Sequence, residues 1–232
     1  MGPIVLIGVV SALFAGAAAL LLVRPVLAGR MAWPALGAWV ATAVVTVACG
    51  TAAGIAQPGF LIGMAAFALP VLVLLEAAAV ASGADGFARW LLMLSWGLVV
   101  FPVTSLVPLA LTSGCLALDC GFADFGAALP LVVSSSSFVL PAWLPAGVRE
   151  RVEFDRPSNR RAVLAGAALW AASTVWLMHM EGAWDEFVPR IVLASVVGPA
   201  AGAVGWLAVD ILRDTRRSTA RSLMLGLVAG IV

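Results

Sequence analysis

Charge is scarce in this chain. Only 11% of its 232 residues are charged, whereas a soluble domain carries about a quarter. The sequence also has no tyrosine and a single histidine, and all 13 basic residues are arginine. With 63% hydrophobic residues and a mean hydropathy of +1.10, too little polar surface remains to cover a water-soluble globule. The shortage of charge excludes a soluble fold and predicts an integral membrane protein in contact with the lipid bilayer.

Catalytic and ligand-binding motifs are also lacking. The sequence contains no nucleotide-binding loop and no His-Glu-x-x-His motif, and no nucleophile–base pair stands out. We therefore expect no enzymatic activity, no catalytic residue, no cofactor and no metal. The arginine-rich segments are read as topology signals and not as nucleic-acid patches. No separate soluble domain is visible, so residues 1–232 are predicted to form a single transmembrane domain.

The apolar runs predict an all-α integral membrane fold. They are continuous and do not alternate with period two, which favours helices over a barrel. A span needs roughly 20 apolar residues, so we expect about seven full transmembrane helices and a short eighth. The predicted segments lie near 3–23, 33–55, 59–82, 88–112, 124–147, 162–180, 188–211 and 219–232.

The placement of arginine predicts the orientation. With the N-terminus outside, all but one of the 13 arginines fall on the inner side, which agrees with the positive-inside rule. The exception is Arg190. The chain is therefore expected to be a multi-pass protein of the plasma (inner) membrane with cytoplasmic Arg-rich loops. The outer loops are acidic by contrast, as at Asp119 and Glu181.

Several polar residues within or near the spans allow two interpretations each. Glu76 is either a functional intramembrane carboxylate or a side chain that reaches the inner interface, with Arg89 as a possible partner. The run Ser134–Ser137 could line a wet path or allow close helix packing. Asp124 could serve transport or cap the fifth helix. His179 could be a metal ligand only if other ligands converge on it.

Cysteine usage adds one expectation. Cys115 and Cys120 fall in the same predicted outer loop, on the side where disulfides persist. A disulfide between them would hold the loop between spans four and five. Two free thiols are the alternative.

Five stretches, taken together, resemble the ammonium transporter (Amt/Rh) family in order and spacing. They cover nearly the whole chain, and an outside N-terminus also fits that family. They are Phe87-Ala88-Arg89-Trp90 with Phe101-Pro102 for span four, Ala123-Asp124-Phe125-Gly126 for the opening of span five, 164–170 for span six, 193–213 for span seven, and Gly226-Leu227-Val228-Ala229-Gly230-Ile231 for span eight. The resemblance implies two inverted five-span repeats with the substrate path between them. Residues 1–147 would then be the first repeat, and 162–232 an incomplete inverted second repeat.

The family's functional residues are mostly replaced. The first path-lining histidine corresponds to Val132, and no second one occurs in these 232 residues. The recruiting Trp and Ser correspond to Pro108 and Met180. The resemblance therefore leaves a vestigial substrate path, which consists of Phe67 (at the gating phenylalanine), Asp124, Val132 and Leu177.

Three functions follow as hypotheses. The first is a transport-inactive, structural or accessory subunit of a membrane complex, packed against other membrane protein subunits or a second copy of itself. The second is a channel of the same family for ammonium, ammonia or another small solute, with an altered path. The third is a membrane sensor, although no inner loop resembles an output domain.

Overall fold

The computed structural model describes residues 3–27, 32–113, 159–181 and 184–213, together with Leu223, Gly226, Leu227 and Gly230. These residues form helices, and no strand occurs among them. The helices are α1 (Pro3–Leu27), α2 (Trp33–Ala52), α3 (Pro58–Ala66), α4 (Ala68–Ala81), α5 (Gly86–Ser95), a π-helical turn (Trp96–Val100), α6 (Phe101–Ser113), α7 (Asn159–Glu181) and α8 (Phe187–Leu212).

Four helical stretches are long and apolar enough to cross a membrane: 33–52, 58–81, 86–110 and 187–212. α1 and α7 contain shorter apolar stretches, 6–21 and 163–179. The all-α character of the described residues is thus confirmed, as is the presence of helices long and apolar enough to span a membrane. The count of seven full spans plus a short eighth stays a prediction, as does the division into repeats. Segment 124–147 lies outside the described residues, as does most of 219–232.

The spans are arranged in a simple order. α3 and α4 lie between α1 on one side and α2 on the other. Beyond α2 come α5, the π-helical turn and α6. α7 packs on α1 and also contacts α3, and α8 packs on α7. The core is built largely from small residues and a few large ones, among which Trp96, Phe101 and Leu72 are fully enclosed. Small residues allow helix backbones to approach closely in lipid, where no hydrophobic force drives helices together.

Two prolines interrupt the helical spans. Pro70 offers no N–H to the carbonyl of Ala66, and its ring would collide with that carbonyl. The helix accordingly breaks at Phe67, between α3 and α4. Pro102 removes a donor in the same way. The N–H of Phe101, immediately before it, donates to the carbonyl of Trp96 in a widened, π-helical turn. The predicted segments were continuous here, and neither interruption was foreseen.

Facing glycines join α8 to the C-terminal residues. Gly198 and Gly202 lie one turn apart on α8, opposite Gly230 and Gly226. A β-carbon on any of these four glycines would overlap backbone of the partner segment. The two Gly-x-x-x-Gly pairs therefore bring two backbones into direct contact, the arrangement typical of close helix pairs in membranes.

Candidate functional site at the helix break

The helix break at Phe67 is the candidate functional site. Transporters bind their substrates where helices are interrupted near the bilayer midplane, because an interrupted helix exposes backbone groups that can bind a ligand. The resemblance also assigns Phe67 to the vestigial path. In the structure Phe67 is only 5% exposed and belongs to the core.

An aromatic pair fills the space beside the break. The ring of Phe67 lies 4.3 Å from the indole of Trp176 on α7, with the two planes tilted by 46°. Trp176 is itself buried, and the next residue, Leu177, is half-buried and packs against the same core. Offset or tilted aromatic pairs at this separation stabilise each other beyond their buried area. Thus Phe67 and Leu177, which the resemblance assigns to a vestigial path, lie in packed surroundings.

One backbone carbonyl at the break is bonded from α2. The indole Nε1–H of Trp39 donates to the carbonyl of Ala65 at 3.2 Å. Ala65 immediately precedes Ala66, whose carbonyl loses its helical donor at Pro70. A carbonyl in the hydrocarbon core needs a donor from the protein, since no water is available there. The Ala65 carbonyl is therefore already bonded within the protein.

His179 lies at one end of this cluster, near the C-terminus of α7. The imidazole is 2% exposed and stacks on Phe60 with ring centroids 5.3 Å apart and planes inclined by 14°. Its Nε2 lies 3.4 Å from the Phe60 carbonyl oxygen. A β-carbon at Gly63 would overlap the ring, and one at Gly8 would lie 2.9 Å from Nδ1. The histidine thus packs α7 tightly onto α1 and α3.

A metal site around His179 was one sequence-based possibility. Across residues 3–27, 32–113, 159–181 and 184–213, no three His, Cys, Asp or Glu side chains are grouped so that they could hold a metal ion. The immediate neighbours of the imidazole are aromatic rings and glycines. Its surroundings are those of a packed core residue.

The buried carboxylate of Glu76 lies at the other end of α4. Glu76 is completely enclosed, and its Oε2 accepts a 2.8 Å hydrogen bond from the backbone N–H of Ala35. Its Oε1 lies 3.3 Å from Nη1 of Arg89, so the pairing suggested by the sequence is present. α2 has no cap of its own, because Ala32 stands at the N-cap position and makes no side-chain cap hydrogen bond. Glu76 therefore caps α2 from a different helix.

This arrangement explains why a carboxylate is tolerated in an apolar span. The first turn of a helix carries unpaired N–H groups and a partial positive charge, both of which favour an anion. Arg89, on α5, places its guanidinium beside the other carboxylate oxygen of Glu76 and balances its negative charge. The geometry joins α2, α4 and α5 at one end and supports the interpretation of Glu76 as a structural residue.

A second acidic group lies at the corner between α7 and α8. Burial, and then the neighbouring Asp185 carboxylate, raise the pKa of Glu181 above its ordinary value of 4.5. Asp185 itself accepts a 2.9 Å hydrogen bond from the N–H of Phe187 at the start of α8. Acidic side chains thus lie on both sides of this corner, at the end of α7 and just before α8.

The other predicted site residues lie outside the described part of the chain. These are Asp124, Val132, Cys115, Cys120 and Ser134–Ser137. In contrast, the contacts of Trp39 and Trp176 and the burial of His179 were not predicted from the sequence. A tryptophan in a membrane helix is usually interfacial, so only a helix break nearby could have indicated that Trp39 is a donor to the backbone. Comparison with protein-family models, curated proteins and solved structures found no match.

Proposed function

We propose that this chain is a transport-inactive structural or accessory subunit of a membrane complex, built on a scaffold resembling that of ammonium transporters. It resides in the plasma membrane with its N-terminus outside and its Arg-rich loops in the cytoplasm. It has no enzymatic role. The observation that carries the proposal is the closed packing around the break at Phe67.

Conduction of a cation at this break would need a partner for the dehydrated ion. Aromatic faces can attract cations, and carbonyl oxygens can replace their water. Here the faces of Phe67 and Trp176 lie against each other, and the carbonyl of Ala65 accepts from Trp39. A cation would have to separate the two rings before it could lie between their faces. The local geometry favours a packing role over a transport role.

The outer faces of the helices support an accessory role. Large apolar side chains project in stripes from the side of α2 and from the π-helical turn and α6, and from much of α8. They include Val40, Val44, Val99, Val103, Val107, Leu193, Val196 and Val197. Such stripes suit lipid or the helices of a partner subunit. An accessory subunit would present one of them to its complex.

The transport half of the proposal is tested in proteoliposomes. Purified protein should give no ammonium-evoked current above that of empty vesicles, because the Phe67 and Trp176 rings at the break pack against each other and leave no open face for a cation. Val132→His should not create a current either. A robust current from the unmodified protein would contradict the scaffold role and favour the small-solute channel.

The accessory half is tested by photo-crosslinking in native membranes. A photoreactive residue at exposed Val103 or Leu193 is compared with one at Leu72, which is fully enclosed. We expect a discrete protein adduct from at least one exposed position and none from Leu72. Lipid adducts alone at both exposed positions would show that these two faces carry no partner and would contradict the accessory role.

A further inference from the structure

Two enclosed polar side chains beside the π-helical turn have no hydrogen-bond partner within the described part of the chain. They are the indole Nε1 of Trp96 and the hydroxyl Oγ1 of Thr46, and both residues are 0% exposed. Neighbouring hydroxyls on the same helices are satisfied locally: Thr42 donates to the carbonyl of Ala38 at 2.7 Å, and Ser105 donates to that of Phe101 at 2.7 Å. The shortage of partners is therefore specific to Trp96 and Thr46 and not general to the hydroxyls of this region.

The helix register places Thr46 against the turn. Thr42, Thr46 and Gly50 lie one turn apart along one buried face of α2. The Thr42 hydroxyl fills the space where a β-carbon of Gly97 would lie, and Gly50 packs against Leu106. From Thr42 to Gly50 on α2, the contacted residue changes from Gly97 to Leu106, so α2 and residues 97–106 run in the same direction. Thr46 consequently faces the stretch between Gly97 and Leu106.

Trp96 borders the same stretch. Its indole packs on Phe101 with ring centroids 5.4 Å apart, and Phe101 lies midway between Gly97 and Leu106. The turn is widened here because the N–H of Phe101 donates to the carbonyl five residues earlier. π-helical turns of this kind occur often at functional sites. The fold thus brings an indole donor, a hydroxyl and a widened backbone turn to one place.

We infer that a single water molecule is bound between Trp96 and Thr46 at the π-helical turn. The water oxygen accepts from the indole N–H while one of its hydrogens is donated to the Thr46 hydroxyl oxygen. Its second hydrogen is left for a backbone carbonyl of the widened turn. Buried waters typically make about three such bonds to polar groups that would otherwise be unsatisfied. Without the water, both side chains would bear the cost of a dry, unpaired polar atom.

The test is water-to-indole cross-relaxation in protein labelled with ¹⁵N-tryptophan and embedded in lipid nanodiscs. Trp96→Phe assigns the signal. The control is the indole of Trp39, which donates to the Ala65 carbonyl. We expect a Trp96 cross-peak with water about fivefold stronger than that of Trp39. Equal or weaker water contact at Trp96 would overturn the inference.

A matched pair of variants adds specificity. Thr46→Val should reduce the Trp96 cross-peak at least about twofold, because the water loses one of its partners. Thr42→Val should leave it unchanged, because the Thr42 hydroxyl is already engaged with Ala38. Equal effects of the two substitutions would also overturn the inference. If Thr46→Val fails to fold, the comparison of Trp96 with Trp39 in the unmodified protein still decides.

Discussion

Residues 58–81 and helix α8 (187–212) are both strongly apolar and long enough to cross a membrane, yet their surroundings are opposite. In residues 58–81, 78% of an apolar 18-residue stretch is buried in the protein, whereas in α8 only 11% of such a stretch is buried. The first is enclosed by α1 and α2, and α8 packs on α7 and on the C-terminal glycines. Apolar composition therefore identifies a membrane helix without indicating how many protein neighbours it has.

The difference lies in how each stretch is held. Lipid tails are as apolar as leucine, so helices associate through close packing and polar contacts. Residues 58–81 are held by the buried carboxylate of Glu76 and by the aromatic contact of Phe67 with Trp176 at the helix break. In α8, the contacts include a 2.6 Å hydrogen bond from the Trp170 indole to the Ser195 carbonyl and the close approach of its glycines to Gly226 and Gly230. The following substitutions test this contrast.

The largest effect is expected for Trp176→Ala. It removes the indole that packs on Phe67 and leaves a cavity in the core, so the free energy of unfolding in detergent micelles should fall by about 4 kcal/mol. Trp206→Ala on α8 is the matched control, because Trp206 is 38% exposed. Its loss should be at most about half as large. Equal losses would mean that the two regions are held alike.

Glu76→Gln should cost about 2 kcal/mol. The amide oxygen can still accept from Ala35, but the charge that pairs with Arg89 is lost in a buried setting. Glu186→Gln, at the exposed start of α8, is the control and should change the unfolding free energy by less than about 0.5 kcal/mol. A negligible effect at Glu76 would show that its charge is not needed for packing.

Gly202→Val examines the tight face of α8 and should cost about 1.5 kcal/mol. The added side chain would force α8 away from Gly226. Gly205→Val lies on the same helix with nothing near its β-carbon, and should be close to neutral. Indistinguishable melting temperatures for the two variants would remove the glycine contact as the means by which α8 is held.

The smallest effect concerns Glu181, at the corner that joins α7 to α8. The pKa of Glu181 is raised in the folded protein, so the protonated side chain favours the folded state. Its contribution to the free energy of unfolding is fully present below pH 4.5 and is lost as the pH rises through the raised pKa. Wild type should therefore lose melting temperature relative to Glu181→Gln as pH increases from about 4 to 7.5. A difference that stays flat with pH would contradict the raised pKa.

The extent of the helices was predictable because hydropathy reports burial in any apolar medium. The predicted segments 59–82 and 188–211 match the observed 58–81 and 187–212 to within one residue at each end. The partnership of Glu76 with Arg89 was also foreseen, since an intramembrane carboxylate needs a partner.

The contacts at the helix break were not predictable in the same way. Pro70 was visible in the sequence, but the position of Trp39 and Trp176 beside the break depends on how three helices pack. Likewise, the single histidine stood at the end of an apolar run, with no sign that Gly8 and Gly63 would make room for its ring. Hydropathy carries no information about which faces meet.

The cap that Glu76 provides for α2 constrains biogenesis. When α2 enters the bilayer during synthesis, the residue that will cap its first turn lies 41 positions later in the chain. Arg89 follows another 13 positions after Glu76. Insertion of α2 alone leaves the N–H of Ala35 unpaired, and insertion of α4 without α5 leaves a carboxylate without its counter-ion. Residues 33–110 are therefore expected to settle in the membrane as one cooperative unit, and a translocon should release them together.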